Sequence, residues 1–147
     1  MHLSSWRDRE QALRELERLG GRVPQAFITK IDLGPRGVWY RVDCGLCVDP
    51  AVAEARRQRI LRSGLVQNGS FVGAPMPFTV EIGQFDSLDA ARARQAELKS
   101  QEIYTYLIGL GGGRYRVVCG AYPDAASAQA LLDDLAALKL EARLVRR

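Results

Sequence analysis

The stretch WYRVDCGLCVD at residues 39–49 returns as RYRVVCGAYPD at residues 114–124, with Tyr, Arg, Val, Cys, Gly and Asp in the same six places and no gap. A chain of 147 residues that writes one strand and the turn after it twice is constrained, before anything else, to two similar units. The match extends upstream, where SSWRDREQA (4–12) lies over GQFDSLDAA (83–91), with Trp6 on Phe85 and Ala12 on Ala91. Each stretch leads into an Ala/Leu/Arg/Glu run of helical pattern. The distance from the aromatic to the Tyr-Arg pair is 34 residues in the first copy and 30 in the second. Such a difference belongs in loops, here DLGPRG (32–37) against GLGGG (109–113) and the neighbourhood of GGRVPQ (20–25).

Within the second copy, FTVEIGQF (78–85) alternates Val80 and Ile82 with Glu81 and Gly83, the period-two pattern of a strand with one wet face. YTYLI (104–108) and YRVVC (115–119) are aromatic and β-branched, and GLGGGR between them reads as a hairpin turn. Ser87 is placed to cap a helix over 87–100, and Ala128, Leu131, Leu135 and Leu138 share one face of a helix over 124–139. EARLV (141–145) closes the unit. The order strand, helix, strand, strand, helix, strand is a split βαβ arrangement, so the expected fold class is α+β: two ferredoxin-like βαββαβ domains, each a four-stranded antiparallel sheet with two helices on one face. The first copy follows the same plan, with strands over 1–5, 25–31 and 38–44 and helices over 8–19 and 50–62. GLVQNGSFVGAPMP (64–77) holds a short closing strand plus linker, or linker alone. The expected boundaries are 1–66, a linker over 67–77, and 78–147.

The formal net charge is +4, and its whole excess lies in residues 1–66, with 12 Lys and Arg against 8 Asp and Glu, whereas residues 67–147 carry 9 of each. Much of the excess is one helix, EARRQRILR (54–62), either a solvated face or a surface for an anionic partner. No apolar run approaches the roughly 20 residues of a membrane span, and no signal-peptide pattern opens the chain. Met1 stands directly on the first expected strand, so the chain is expected to be a piece of a longer, membrane-anchored protein.

A strand ending in Gly-x-Phe (83–85), a helical Ala six residues later (Ala91) and a third strand reading Tyr-Arg-Val-x-x-Gly (115–120) resemble the sporulation-related repeat (SPOR) domain. The resemblance covers about 70 residues of the second copy, and in the first it rests on HLSSW and WYRVDCG. It implies a tandem of non-catalytic modules that bind septal peptidoglycan stripped of its stem peptides, in the bacterial periplasm or cell envelope, with cell-division or envelope proteins as further partners. The family often carries Gln where this sequence has His2 and Glu81, and an aromatic where Cys47 follows the glycine. A carboxylate at Glu81 accepts hydrogen bonds from sugar hydroxyls but cannot donate as an amide does.

Strict alternation turns Val80, Ile82, Val117 and Cys119 toward the helices and leaves Glu81, Gly83, Arg116 and Val118 on the open face, matched in the first copy by His2, Ser4, Arg41 and Asp43. The candidate ligand-binding set is therefore His2, Ser4, Arg41, Asp43, Glu81, Gln84, Arg116 and Val118. Arg116 paired to Glu81 as an ordinary surface ion pair is the plain alternative. Trp6, Tyr40, Phe85 and Tyr115 read as core, while some of Tyr104, Tyr106 and Tyr122 frame the sheet edge. The first copy, with the positive excess and His2 in place of Glu81, is expected to bind more strongly.

Cys44 and Cys119 occupy equivalent inward positions and are expected to be buried small hydrophobes without metal. Cys47 completes a C-x-x-C with Cys44, but one histidine and two thiols make no four-ligand zinc site, and strand geometry argues against so short a disulfide. No cofactor is expected. Nor does the pattern place a nucleophile and a base together, and GLGGGR lies between strands rather than opening a helix, so no phosphate loop is indicated. The same plan serves RNA-recognition motifs, yet the third strands present no outward aromatic, which argues against nucleic acid. A protein-interaction module remains the alternative from another class.

Overall fold

The computed structural model describes residues 1–23, 25–46, 49–66 and 69–147; Cys47, and with it the C-x-x-C reading, lies outside the described residues. Two compact units are present, Met1–Pro75 and Met76–Arg147. Among the described residues the chain is mixed α+β, with a three-stranded and a four-stranded antiparallel sheet and four α-helices. Among the described residues no helix is long and apolar enough to cross a membrane.

The second unit runs β4 (Phe78–Phe85), α3 (Leu88–Ser100), β5 (Tyr106–Gly111), β6 (Arg114–Tyr122), α4 (Gln129–Ala137) and β7 (Arg143–Arg146), with sheet order β5-β6-β4-β7. Ser87 caps α3 through the Ala90 N–H, as its position predicts. The last helix is shorter than its pattern, because residues 126–128 form a 3-10 turn before α4 begins. The β5–β6 hairpin is tighter than expected: Gly112 and Gly113 alone form the loop, at φ 59° and 78°, the left-handed pair that a two-residue turn with the right twist requires. α3 packs on β4 and β6, and Val80, Val117, Ala91 and Leu98 are fully buried.

The first unit runs β1 (His2–Trp6), α1 (Arg9–Leu19), β2 (Ala26–Asp32), β3 (Val38–Cys44) and α2 (Pro50–Arg62), with sheet order β1-β3-β2. A fourth strand was expected. In its place the described residues show one bridge, in which His2 and Phe71 exchange both backbone hydrogen bonds. Gly64, Gly69, Gly73, Pro75 and Pro77 interrupt this segment, which has too few β-branched residues to sustain a ladder.

The six residues repeated between 39–49 and 114–124 take corresponding local positions in the two units. Tyr40 pairs with Trp6, and Tyr115 with Phe85. Val42 and Val117 are fully buried, and Cys44 and Cys119 are buried beside them. Gly45 and Gly120 adopt φ 81° and 68°, where a side chain is strained. Asp49 caps α2 through the Ala51 N–H at 2.7 Å, while Asp124 accepts the Ser127 N–H at 2.8 Å ahead of α4, which holds its carboxyl below the usual range. Arg41 and Arg116 sit across from Ser5 and Gln84.

The aromatic expectations divide. Trp6, Tyr40, Phe85 and Tyr115 are half-buried, whereas Tyr106 and Tyr122 belong to the core. The Tyr106 hydroxyl donates to the Gly120 carbonyl at 2.9 Å, and Thr79 Oγ1 donates to the same carbonyl at 2.8 Å. A Cβ on Gly120 would lie 2.6 Å from the Tyr122 ring. Gly120→Ala should therefore cost about 1–3 kcal/mol, from backbone strain and displacement of Tyr122. Urea denaturation reads this directly; an unchanged midpoint would show that the glycine is not required.

Candidate functional site

The first strand of each unit carries one extra residue. In β4 the pairing with β6 steps from Glu81↔Val118 to Gly83↔Val117, leaving Ile82 over, and in β1 the pairing with β3 steps from His2↔Asp43 to Ser4↔Val42, leaving Leu3 over. Such a bulge reverses the alternation beyond it. Strict period two set Ser4 and Gly83 on the open face. Instead they lie across from the buried Val42 and Val117, and Ser4 Oγ accepts the Trp6 indole N–H at 2.9 Å. Ser5 and Gln84 take their places beside Arg41 and Arg116.

In the second unit, the Glu81 carboxylate, only 4% exposed, is the centre of this face. Arg143, directly across on β7, donates from Nε at 3.0 Å and Nη2 at 2.6 Å. Arg116 Nε lies 2.7 Å from the other carboxylate oxygen; its N–H is not aimed well enough for a hydrogen bond, so the contact is an ion pair. Arg116 Nη1 donates to the Arg146 carbonyl at 3.1 Å, and the Gln84 amide donates to Glu81 at 3.1 Å. Val118, expected on this face, is fully buried and offers a ligand no surface. A cavity of about 360 Å³ adjoins the cluster, lined by Glu81, Ile82, Gly83, Glu141, Ala142 and Arg143. Arg143 was not among the candidates, because only the register of β7 brings it to Glu81.

The first unit builds the same place with the acid on the other strand. Asp43, 3% exposed, stands where Val118 stands in the second unit and accepts from Arg41 Nη2 at 2.9 Å. His2 stands where Glu81 does, with Nδ1 3.2 Å from Asp43 Oδ1 and Nε2 3.2 Å from Ser5 Oγ. The Phe71 ring lies 4.8 Å from the imidazole and is 54% exposed, in the position equivalent to Arg143. Phe71 lay in the expected linker, and nothing in its own sequence context marks it. A hydroxyl and a base thus do lie within reach of each other, contrary to the pattern-based expectation, because the bulge turns Ser5 onto the histidine's side.

Arg57 in α2 is bound to Glu54 at 2.7 Å, holding that carboxyl down at about 2. Among the described residues no group of His, Cys, Asp and Glu is arranged for a metal. Burial pushes the Cys119 thiol up to about 12, and the thiol donates to the Tyr104 carbonyl at 3.2 Å.

Each unit thus sets a third-strand arginine against a buried carboxylate on its sheet. Residues 74–146 match the SPOR domain, a peptidoglycan-binding module; the match spans the second unit and shows no second repeat. No curated protein and no solved structure matches the chain.

Glu81→Gln would leave two guanidiniums around a neutral amide. A loss of about 1–3 kcal/mol in unfolding free energy is expected, reduced from a fully buried case because Arg143 is largely exposed. A variant as stable as the parent would mean that the pair is solvent-screened. Because alkylation needs the thiolate, iodoacetamide at neutral pH should modify Cys119 in urea and not in the native protein. Mapping the adduct to Cys119 without denaturant would contradict its burial.

Proposed function

We propose that the chain is a tandem of SPOR-type modules that holds peptidoglycan glycan strands without cleaving them, in the bacterial envelope, and that the second unit is the principal site. The observation that carries this reading is the SPOR match over the unit whose open face sets two guanidiniums around a single carboxylate. Removing a stem peptide converts the lactyl amide of the glycan into a carboxylate. A face with surplus guanidinium favours that form, since charge-assisted bonds from arginine to carboxylate are stronger than neutral ones. This chemistry supports a preference for denuded glycan, the form that septal remodelling leaves during cell division.

Ligand contact is assigned to Arg116, Arg143 and Gln84 in the second unit and to Arg41 and Ser5 in the first. Glu81, Asp43 and His2 position these groups, Val118 underlies them, and Ser4 is turned aside by the bulge. The overall charge excess of the first 66 residues suggested the first copy as stronger. The local balance argues the reverse, because Asp43 offsets Arg41 while Glu81 is shared between two arginines. The anchored parent chain and partner proteins of the division machinery belong to the same proposal.

Retention on isolated sacculi should rise after an amidase strips the stem peptides and fall with added salt. Arg116→Ala should weaken it about 10- to 100-fold, the value of one or two charged hydrogen bonds, and Arg41→Ala less. If both folded variants are retained like the parent at two salt concentrations, the open faces are not the site.

A further inference from the structure

The Ser5, His2 and Asp43 side chains also form a relay, on the face where the first unit's weaker glycan contact is proposed. His2 Nδ1 faces Asp43 Oδ1 at 3.2 Å and His2 Nε2 faces Ser5 Oγ at 3.2 Å, so a proton on Nδ1 is donated to the carboxylate and Nε2 is left as acceptor for the serine hydroxyl. These are the nitrogen assignments and the reach that an activated serine requires. Asp43 is buried and fixed in turn by Arg41 Nη2 at 2.9 Å, which orients the imidazole through the carboxylate. Ser5 is exposed, and both Ser5 and His2 line a cavity of about 430 Å³ beside β1. That volume lies within the range of small-molecule sites.

Arg41 lies directly across the strand pair from Ser5, and its buried Nε–H has no acceptor among the described residues. The guanidinium's positive charge, across the strand pair, favours negative charge developing near Ser5. The exposed Phe71 ring against the imidazole adds apolar surface on the other side.

We propose that the first unit reacts with small carboxylic esters through Ser5, with His2 as base and Asp43 as a positioning residue. The Ser5 oxygen bonds to the ester carbonyl carbon while its proton passes to His2 Nε2. The bond from that carbon to the alcohol oxygen then breaks, and the departing oxygen takes the proton from His2, leaving an acyl-serine. Water, deprotonated by the same nitrogen, releases the acid and restores Ser5. An ester suits the site better than an amide, since an alcohol oxygen leaves more easily than an amine.

The test is covalent labelling of the full chain by a fluorophosphonate, with the adduct mapped by mass spectrometry, beside turnover of p-nitrophenyl acetate. Label should fall on Ser5, and Ser5→Ala should abolish both the adduct and the Ser5-dependent turnover. His2→Gln, which keeps a polar side chain beside Asp43, should slow labelling about 100-fold, the usual worth of a positioned base. Asp43→Glu should label within a few-fold of the parent while Asp43→Asn does not, a difference that loss of folding alone would not produce if both variants melt alike. Absence of a Ser5 adduct, or labelling undiminished in folded His2→Gln, overturns the proposal. Sacculus retention of Arg116→Ala bears on glycan binding alone, so the two readings fail separately.

Discussion

The extra residue in the first strand of each unit governs what the open face can present. A bulge adds one residue without adding a partner, so every side chain beyond it changes sides. Leu3 in β1 and Ile82 in β4 are the residues left over. Because of them, a hydroxyl and an amide rather than Ser4 and a glycine stand beside the two arginines. The same step lets Gln84 reach back three residues to Glu81, and Ser5 reach back three residues to His2. Both contacts would be impossible in a regular strand, where residues three apart face opposite ways.

On this common frame the two units place one buried carboxylate differently. In the second it is on the first strand, at Glu81, and the facing position on the third strand is the apolar Val118. In the first it has crossed to the third strand, at Asp43, and faces a histidine. An arginine on the third strand is bound in either case, since a buried carboxylate without a cation is far more costly than one with it. The consequences differ. Glu81 draws a second arginine from β7, whereas Asp43 draws an imidazole, and the aromatic Phe71 occupies the β7 place. One acid moved across a strand pair thereby separates a cationic face from a nearly neutral one.

What the sequence made legible follows from how local each demand is. The glycine after Cys44 and Cys119 answers a positive φ, Asp49, Asp124 and Ser87 answer unsatisfied helix N–H groups, and Val42 and Val117 answer burial. Each of these is set by its own residue and near neighbours, so the repeat marked the glycine, aspartate and valine positions and a local capping pattern marked Ser87. The bulges were not legible, because an added residue becomes visible only against the partner strand, and period two was carried straight through them. Arg143 and Phe71 were missed for the same reason, as each reaches the site only through pairing between distant segments. Val118 shows a further limit of parity, since its register partners Glu81 and Tyr106 are buried with it and alternation alone says nothing of exposure.

The carboxylate at the centre of the second face also explains how a ligand could meet arginines that are already paired. A guanidinium carries five donors on two edges. Arg143 spends Nε and Nη2 on Glu81, which leaves Nη1 without an acceptor among the described residues on a side chain that is 67% exposed. Arg116 spends one nitrogen on Glu81 and another on the Arg146 carbonyl. Arg143 is thus held by one edge and offers the other, and Arg116 is held at Nε and Nη1, so the rotamer entropy of each long side chain is lost on folding and not again on binding. A single acid shared between two arginines leaves the cluster with a positive charge that a second carboxylate, brought by a ligand, can balance.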